Sequence, residues 1–331
     1  MKLRNVLKAA ALAAVAAAPA SGQAAPGGAA KPDFSGIWAH PWLPGFEALS
    51  SGPTALVNLA RTKEGRSIQT QLVGDYKNPI LKPEAAETVR KLGEQSKAHF
   101  GFHNPRNQCW PNGLPFLLSA NGQEIFDRGD HLTMIYRVDH QVRTVRMNAS
   151  HPAKVTPSYY GDSVGHYEGD TLVIDTIGIK PGPFAMIDWF GTPQSPALHV
   201  VERYRLIDSD QAQEGVKRAN KDNVLPQFNN PPVVDFNSKG KWLQLLFTID
   251  DPSVFTTPWS ATVTFGPAVQ GVGPDESASN PGSQGCAQMP EKSGLAAPAG
   301  ADCPDAGAAA AAANAAAFNT FLSFIVASQA A

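Results

Sequence analysis

Imidazole and carboxylate side chains lie among strand-forming residues in two stretches of this chain, and together they could move protons. His140 lies in 136–143 (YRVDHQVR) and Glu202 in 197–208 (ALHVVERYRLID). Histidine titrates near neutral pH, and a half-buried carboxylate can exchange a proton with it, so the pair could act as general acid and base. The structural alternative is a His–Glu or Glu–Arg bond that ties two strands together.

Strand alternation indicates which of these side chains face inward. Glu202 belongs to a face that is otherwise apolar, made of Leu198, Val200, Glu202, Tyr204 and Leu206. Because a buried unpaired charge is costly, Glu202 is expected either to bond a basic neighbour or to stay protonated as an acid/base group. If 132–142 is one strand, Tyr136 and His140 also face inward. If 139–141 is a hairpin tip, His140 lies at a rim.

Four further residues complete the predicted site. Arg143 could anchor an anionic substrate or pair with an acidic neighbour, and His151 could be a mobile acid/base in a loop at the pocket mouth. Tyr136 and Trp259 could form an aromatic wall for an apolar ligand, although ordinary core packing explains Trp259 equally well. Arg143, Tyr136 and Trp259 are thus predicted ligand-binding residues, and His140, Glu202 and His151 predicted catalytic residues.

No cofactor or metal ion is expected. The His and Cys residues lack metal-ligand spacing, and neither a Gly-x-Ser-x-Gly nucleophile motif nor a glycine-rich phosphate loop is present. The cysteines Cys109, Cys286 and Cys303 allow three disulfide pairings in an oxidising compartment. Cys286–Cys303 would be local, whereas Cys109–Cys286, which is slightly favoured, would fix the tail to the body.

The amino terminus predicts export. Residues 1–25 combine a basic start, a short alanine-rich apolar run and small residues suited to cleavage, which is the pattern of a signal peptide. The apolar run is too short to span a bilayer, so membrane association is not expected. The mature protein is therefore predicted to be periplasmic or secreted. With a net charge of -2 and no basic stripe, it is not expected to bind nucleic acid.

The rest of the chain divides by composition into four parts. Residues 26–123 contain a first strand and a helical or loop segment with one clear helix at 83–99, and 124–270 form an antiparallel β core. Residues 271–305 are predicted to be disordered or loosely draped. The predicted strands of the core are 124–128, 131–138, 142–148, 163–168, 171–177, 198–207, 241–250 and 259–266, with a loop-like polar insert at 208–240.

The last part, residues 306–331, is predicted to be an alanine-rich carboxy-terminal helix. Its apolar side chains Phe318, Phe321, Leu322, Ile325 and Val326 recur at helical spacing and form one stripe. The stripe is expected to dock on the protein's own body or on a second copy, so a homo-oligomer through 315–327 is possible.

Six segments give the chain a resemblance to a family of exported bacterial proteins of unassigned function. In the family's order they are DFSGIW at 33–38, CWPNGLP at 109–115, YRVDHQVR at 136–143, SVGHYEGDTLVIDT at 163–176, ALHVVERYRLID at 197–208 and TIDDPSVFTTPW at 248–259. The chain departs from the pattern at Tyr167, where the family often has Trp. The resemblance implies a shared fold and pocket but no established reaction.

A second resemblance is architectural. Gly36 and Trp38 form a Gly-x-Trp pair in the first strand, and a helical or irregular region and then a meander of strands follow it, which is similar to lipocalin-like barrels. The fold is therefore predicted to be mainly β, an antiparallel lipocalin-like barrel with a β-sandwich as the alternative.

Two functions follow from these observations. The first is an exported barrel that binds a small apolar or aromatic molecule in its interior. The alternative is a cofactor-free lyase, isomerase or hydratase that uses His140 and Glu202, and a structural role in the cell envelope is a third. The sequence does not decide whether the protein is an enzyme.

Overall fold

The computed structural model describes residues 31–40, 45–68, 70–99, 102–108, 110–119, 122–137, 141–222 and 234–269. The predicted signal peptide, the linker 271–305 and the carboxy-terminal helix 306–331 lie outside the described residues, as do all three cysteines. Disulfide pairing and assembly through 315–327 therefore stay predictions.

The described residues form ten strands and two α-helices. The strands are β1 (Gly36–Ala39), β2 (Glu47–Ala48), β3 (Gly122–Asp127), β4 (His131–Tyr136), β5 (Val142–Met147), β6 (Asp162–Glu168), β7 (Thr171–Ile177), β8 (His199–Asp208), β9 (Lys241–Asp250) and β10 (Trp259–Pro267). The helices are α1 (Pro83–His99) and α2 (Ser209–Asp222), and short 3-10 turns cover Arg106–Gln108 and Phe116–Ser119.

Nine of these strands close into a barrel. They follow the order β1-β3-β4-β5-β6-β7-β8-β9-β10, and β10 returns to β1 through the pairs Trp38↔Pro267 and Ala39↔Gly266. β2 adds to the side of β10 at Ala261↔Ala48. The mainly β barrel prediction is confirmed, and the closed ring excludes a β-sandwich. The ring has one strand more than the eight of a lipocalin-like barrel.

The expectation of a purely antiparallel core is wrong at one place. β5 and β6 run parallel, with Arg146 opposite Val164 and Met147 opposite Gly165, so the sheet is mixed. A hairpin cannot join parallel strands, which need a crossover of about a dozen residues or more. Residues 148–161 supply that crossover, and His151 within it contacts Asp162 and Asp175 on the outside of the barrel wall.

Alternation sorts the strand side chains as predicted. Every second residue is buried along β4 and along β8 as far as Tyr204, so Leu132 and Met134 face inward in β4, and Val200, Glu202 and Tyr204 face inward in β8. β4 ends at Tyr136 and β5 begins at Val142, and the two strands pair antiparallel, so 132–142 is not one strand. Tyr136 faces the interior as predicted. Unbroken alternation from Leu132 would have turned Arg143 to the opposite face, but β5 is a separate strand and Arg143 also faces the interior.

The two helices differ in how well the sequence predicted them. α1 begins and ends where expected, and its Ala85 and Val89 pack into the main core. α2 falls in the insert read as loop-like. Among its described side chains, the buried apolar ones are Ala212 and Val216, which pack with the outward-facing Trp242. This stripe is too short to stand out in a polar segment. Among the described residues, neither helix has the length and apolarity needed to cross a membrane.

A glycine at the closure of the barrel gives a test of the register. Gly122 has φ 131° and a Cβ there would lie 2.3 Å from the carbonyl oxygen of Trp38, whereas Gly36, with φ 125°, has open space around its Cβ position. Gly122→Ala should lower the free energy of unfolding by about 2–5 kcal/mol, since it adds overpacking to backbone strain. Gly36→Ala carries only the strain and should cost about 1–2 kcal/mol.

Urea denaturation of both variants measures this difference. Equal losses of stability at the two positions would contradict the close approach of β1 and β3.

Candidate functional site

A network of polar side chains, which we call the polar girdle, crosses the interior of the barrel. Five adjacent strands contribute to it: Tyr136 from β4, Arg143 from β5, Ser163 from β6, Thr176 from β7, and Glu202 and Tyr204 from β8. All six side chains are buried. Each strand has a polar residue at one or two of its inward positions, and the rest of its inner face is apolar.

Arg143 and Glu202 form the centre of the girdle. The two guanidinium Nη atoms donate to the two carboxylate oxygens, Nη2 to Oε1 at 2.7 Å and Nη1 to Oε2 at 3.1 Å. Such a paired geometry is the strongest form of a charged hydrogen bond. The side chains of Arg143 and Glu202 are 1% and 0% exposed, so water does not screen the pair.

The remaining donors of Arg143 are also used. Nε donates to Ser163 Oγ at 3.0 Å, Nη2 to Thr176 Oγ1 at 2.7 Å and Nη1 to the Tyr136 hydroxyl at 3.2 Å. A guanidinium has five N–H groups, so every one has a protein acceptor. The Tyr204 hydroxyl donates to Glu202 Oε2 at 2.8 Å. Both charges are therefore satisfied within the protein.

Burial and charge set the acidity of the girdle. Burial on its own lowers the pKa of Arg143, but the adjacent Glu202 carboxylate more than offsets this and raises it, so the guanidinium stays charged. Burial raises the pKa of Tyr136 to about 12, against the opposing pull of Arg143. Burial and the Glu202 charge raise the pKa of Tyr204 well above its usual range. Both phenols are neutral at neutral pH.

The structure answers the question that the sequence left open about Glu202. Of the two alternatives, a bond to a basic neighbour is the one observed, and that neighbour is Arg143. His140 lies outside the described residues, so its pairing with Glu202 stays a prediction. Trp259 packs against the rings of Phe46, Phe247 and Phe255 at centroid distances of 5.5–6.4 Å, and it is 1% exposed.

A second polar network lies on the outside of the same strands, and we call it the outer chain. It runs through Arg146, Asp162, His151, Asp175 and His199. Asp162, Asp175 and His199 occupy outward positions of β6, β7 and β8, while His151 comes from the crossover 148–161. The side chains are partly exposed, from 18% for Asp162 to 43% for Arg146.

His151 is held between two carboxylates. Its Nδ1 lies 2.6 Å from Asp162 Oδ1 and its Nε2 lies 3.1 Å from Asp175 Oδ1. Arg146 donates to both oxygens of Asp162, and His199 Nε2 lies 3.0 Å from Asp175 Oδ1. An imidazole has one N–H in either neutral form, so both His151 contacts are hydrogen bonds only when its ring carries two protons.

Aromatic rings from three loops meet in what we call the aromatic patch. Trp110 contacts Tyr159 and Phe184 at centroid distances of 6.3 and 6.4 Å, and His103 stacks on Phe184 at 6.2 Å. Lys180 lies 5.5 Å above the ring of Tyr159. Trp110, Tyr159 and Phe184 are half-buried, and His103 and Lys180 are exposed.

The sequence pointed to only part of these two features. His151 was predicted in a loop, and it lies in the crossover, where it contacts the wall of the barrel. Asp162, Asp175 and His199 were not predicted to act together. The hairpin pairing of β6 with β7 is the pattern that could have shown this. Val164 lies opposite Asp175, so outward residues of the two strands are side by side. Asp175 also lies opposite Val201 of β8. His199 faces outward, as strand parity indicated.

Comparisons with protein-family models, curated proteins and solved structures found no match to this chain. Within the described residues, no group of three or more His, Cys, Asp or Glu side chains has the arrangement of a metal site.

The girdle predicts a large effect of removing one of its charges. Glu202→Gln should lower the free energy of unfolding by about 3–5 kcal/mol, because it leaves Arg143 buried without a counter-ion. The double variant Arg143→Met/Glu202→Leu should recover most of that loss, since it removes both charges. Chemical denaturation measures all three proteins.

Glu168 is the matched control, since it forms an exposed pair with Arg203. Glu168→Gln should change stability by less than about 1 kcal/mol. A double variant no more stable than Glu202→Gln would show that the charge pair is not what holds the girdle together.

The raised pKa of Tyr136 predicts a loss of stability at alkaline pH. The unfolded chain ionises this phenol near pH 10, whereas the folded protein keeps the proton up to about pH 12. The contribution of Tyr136 is therefore fully present below pH 10 and is lost as pH rises to 12, by about 3 kcal/mol at 1.4 kcal/mol per pH unit.

Denaturation midpoints between pH 9 and 12 check this, with Tyr136→Phe flattening the decline. An identical slope in wild type and Tyr136→Phe would contradict the prediction.

Proposed function

We propose that this protein binds a small aromatic anion, and that the ligand binds on the aromatic patch. The observation that carries the proposal is the convergence of Trp110, Tyr159 and Phe184, from three separate loops, into one half-exposed surface with a cation above it. Aromatic faces of this kind stack on planar ligands.

The charges on the patch favour a negatively charged ligand. Lys180 is exposed, and its ammonium group lies above the ring of Tyr159, where it can meet a carboxylate at the edge of a stacked ligand. Burial raises the pKa of Tyr159, so its phenol adds no negative charge at neutral pH. An aromatic carboxylate combines the two features that the patch offers.

The loops that carry the patch lie at the ends of strands. Tyr159 closes the crossover 148–161 just before β6 begins, and Lys180 follows the end of β7. The barrel thus supplies a rigid frame and the loops supply the contacts, which is the usual division of labour in binding proteins.

The interior of the barrel is less suited to a ligand at the level of the girdle. Arg143 has no N–H left for an anion, because Glu202, Ser163, Thr176 and Tyr136 accept all five. We therefore place the ligand outside the girdle, in a change from the interior site that the sequence suggested.

The same contacts weigh against Glu202 as a general base. Both of its carboxylate oxygens already accept hydrogen bonds from Arg143, and Oε2 accepts a further one from Tyr204. A proton taken up by Glu202 would break the only charge pairing of a buried guanidinium. In a lyase or isomerase that depended on Glu202, the free-energy cost of leaving the Arg143 guanidinium buried without a counter-ion would arise in every turnover.

The proposal is tested with 1-naphthoate as the probe and 1-naphthalenemethanol as its neutral counterpart. The naphthoate should bind saturably by fluorescence and calorimetric titration. Trp110→Ala should weaken it at least about tenfold, because one aromatic contact is worth roughly 1.4 kcal/mol. Lys180→Met should weaken the naphthoate and leave the alcohol unchanged.

Phe126→Ala is the control, because Phe126 also has a cation near its ring, Arg128 at 5.7 Å, but no other ring contact within the part of the chain that the structure describes. It should bind the naphthoate as the wild type does. Absence of saturable binding to the wild type, or equal weakening in Phe126→Ala and Trp110→Ala, would refute the proposal.

A further inference from the structure

We infer that His199, oriented by Asp175, is a general base that removes a proton from a planar aromatic substrate. The inference rests on the proposed function only for where the substrate lies. Its own basis is the hydrogen bonding of the outer chain, which fixes one ring nitrogen of His199 and leaves the other available.

The contact with Asp175 determines which nitrogen can act. Nε2 of His199 lies 3.0 Å from Asp175 Oδ1, and a carboxylate only accepts, so Nε2 carries the hydrogen. In the neutral ring the lone pair then lies on Nδ1. That atom has no hydrogen-bonding partner among the described residues, and the side chain is 38% exposed. A base held by a carboxylate on its far side is the arrangement by which enzymes orient a catalytic imidazole.

Asp175 is itself fixed by the rest of the chain. Its Oδ1 also lies 3.1 Å from His151 Nε2, and His151 is tied to Asp162, which Arg146 holds with two hydrogen bonds. Asp175 therefore cannot turn away from His199 without breaking the contact to His151. We assign Asp175 and His151 as positioning residues.

The outer chain and the aromatic patch are close along the backbone. Tyr159 precedes Asp162 by three residues, which limits their Cα separation to about 11 Å, and Lys180 follows Asp175 by five residues, which limits theirs to about 18 Å. Short backbone segments thus connect the patch to the outer chain, and the substrate is inferred to bind between them.

The chemistry that fits is the removal of an acidic C–H proton from an aromatic ring system. We choose 5-nitrobenzisoxazole as the probe. His199 Nδ1 takes the proton on C3, the C–H electron pair completes the nitrile, and the ring N–O bond breaks. Its electrons leave on oxygen as a phenolate, and the proton on His199 passes to water, so no cofactor or oxidant is required.

The test compares the rate of phenolate release by the full-length protein and its variants. The wild type should exceed free imidazole at equal concentration, and His199→Ala should lower kcat about a hundredfold or more, the usual contribution of a general base. Added imidazole should restore part of the lost rate in His199→Ala, which a purely structural histidine would not allow.

Asp175→Asn should lower kcat with little change in KM, as expected of a positioning residue that does not touch the substrate. His166→Ala is the matched control, since His166 is an exposed histidine with Nε2 3.1 Å from Glu168, outside the outer chain. It should keep the wild-type rate. Circular dichroism melting establishes that each variant is folded.

The inference is overturned if the wild type is no faster than imidazole, if His166→Ala and His199→Ala lose rate equally, or if imidazole fails to rescue a folded His199→Ala. Its outcome is separable from the proposed function. Loss of turnover in His199→Ala with naphthoate binding retained supports both, whereas turnover without any naphthoate binding supports the base and refutes the patch.

Discussion

A buried pair of opposite charges constrains how the strands of this barrel can be arranged. Arg143 and Glu202 lie on strands separated by two others, and Ser163 and Thr176 on those two strands accept hydrogen bonds from the same guanidinium. Removing two charges from water is costly, and the attraction between them repays that cost only when every donor and acceptor finds a partner. The girdle meets this condition, but only if β4 to β8 keep one register, since a slip by one residue would turn each of these side chains outward.

The inner and outer faces of β6, β7 and β8 carry two different polar systems. Ser163, Thr176 and Glu202 point inward and join a closed network without access to water, whereas Asp162, Asp175 and His199 point outward and remain partly hydrated. On β6 and β7 the two systems use adjacent residues, since Asp162 precedes Ser163 and Asp175 precedes Thr176. The closed network is suited to holding strands in place, and the open one is suited to exchanging protons with a ligand.

Strand alternation let the sequence predict the wall of the barrel but not its connections. The inward face of β8 could be read from Val200, Glu202 and Tyr204, and α1 from its proline start and its charges. The partner of Glu202 could not be predicted, because unbroken alternation from Leu132 turns Arg143 outward, and parity does not say which strand lies across the interior. α2 was not predicted from the sequence, because the apolar stripe of its described side chains consists of Ala212 and Val216. The aromatic patch was not predicted from the sequence either, because Trp110, Tyr159 and Phe184 are far apart in the chain and come together through loops.

The parallel direction of β6 relative to β5 is required by the number of strands in the ring. Around a closed ring, strand direction reverses at every antiparallel neighbour, and nine reversals cannot return to the starting direction. A ring of nine strands must therefore contain an odd number of parallel neighbours, and β5–β6 is the one in this ring. A parallel neighbour needs a long crossover outside the wall, and here that crossover carries both His151 and Tyr159. A version of this barrel with eight strands could close by hairpins alone, and it would then have no segment on which to carry either residue.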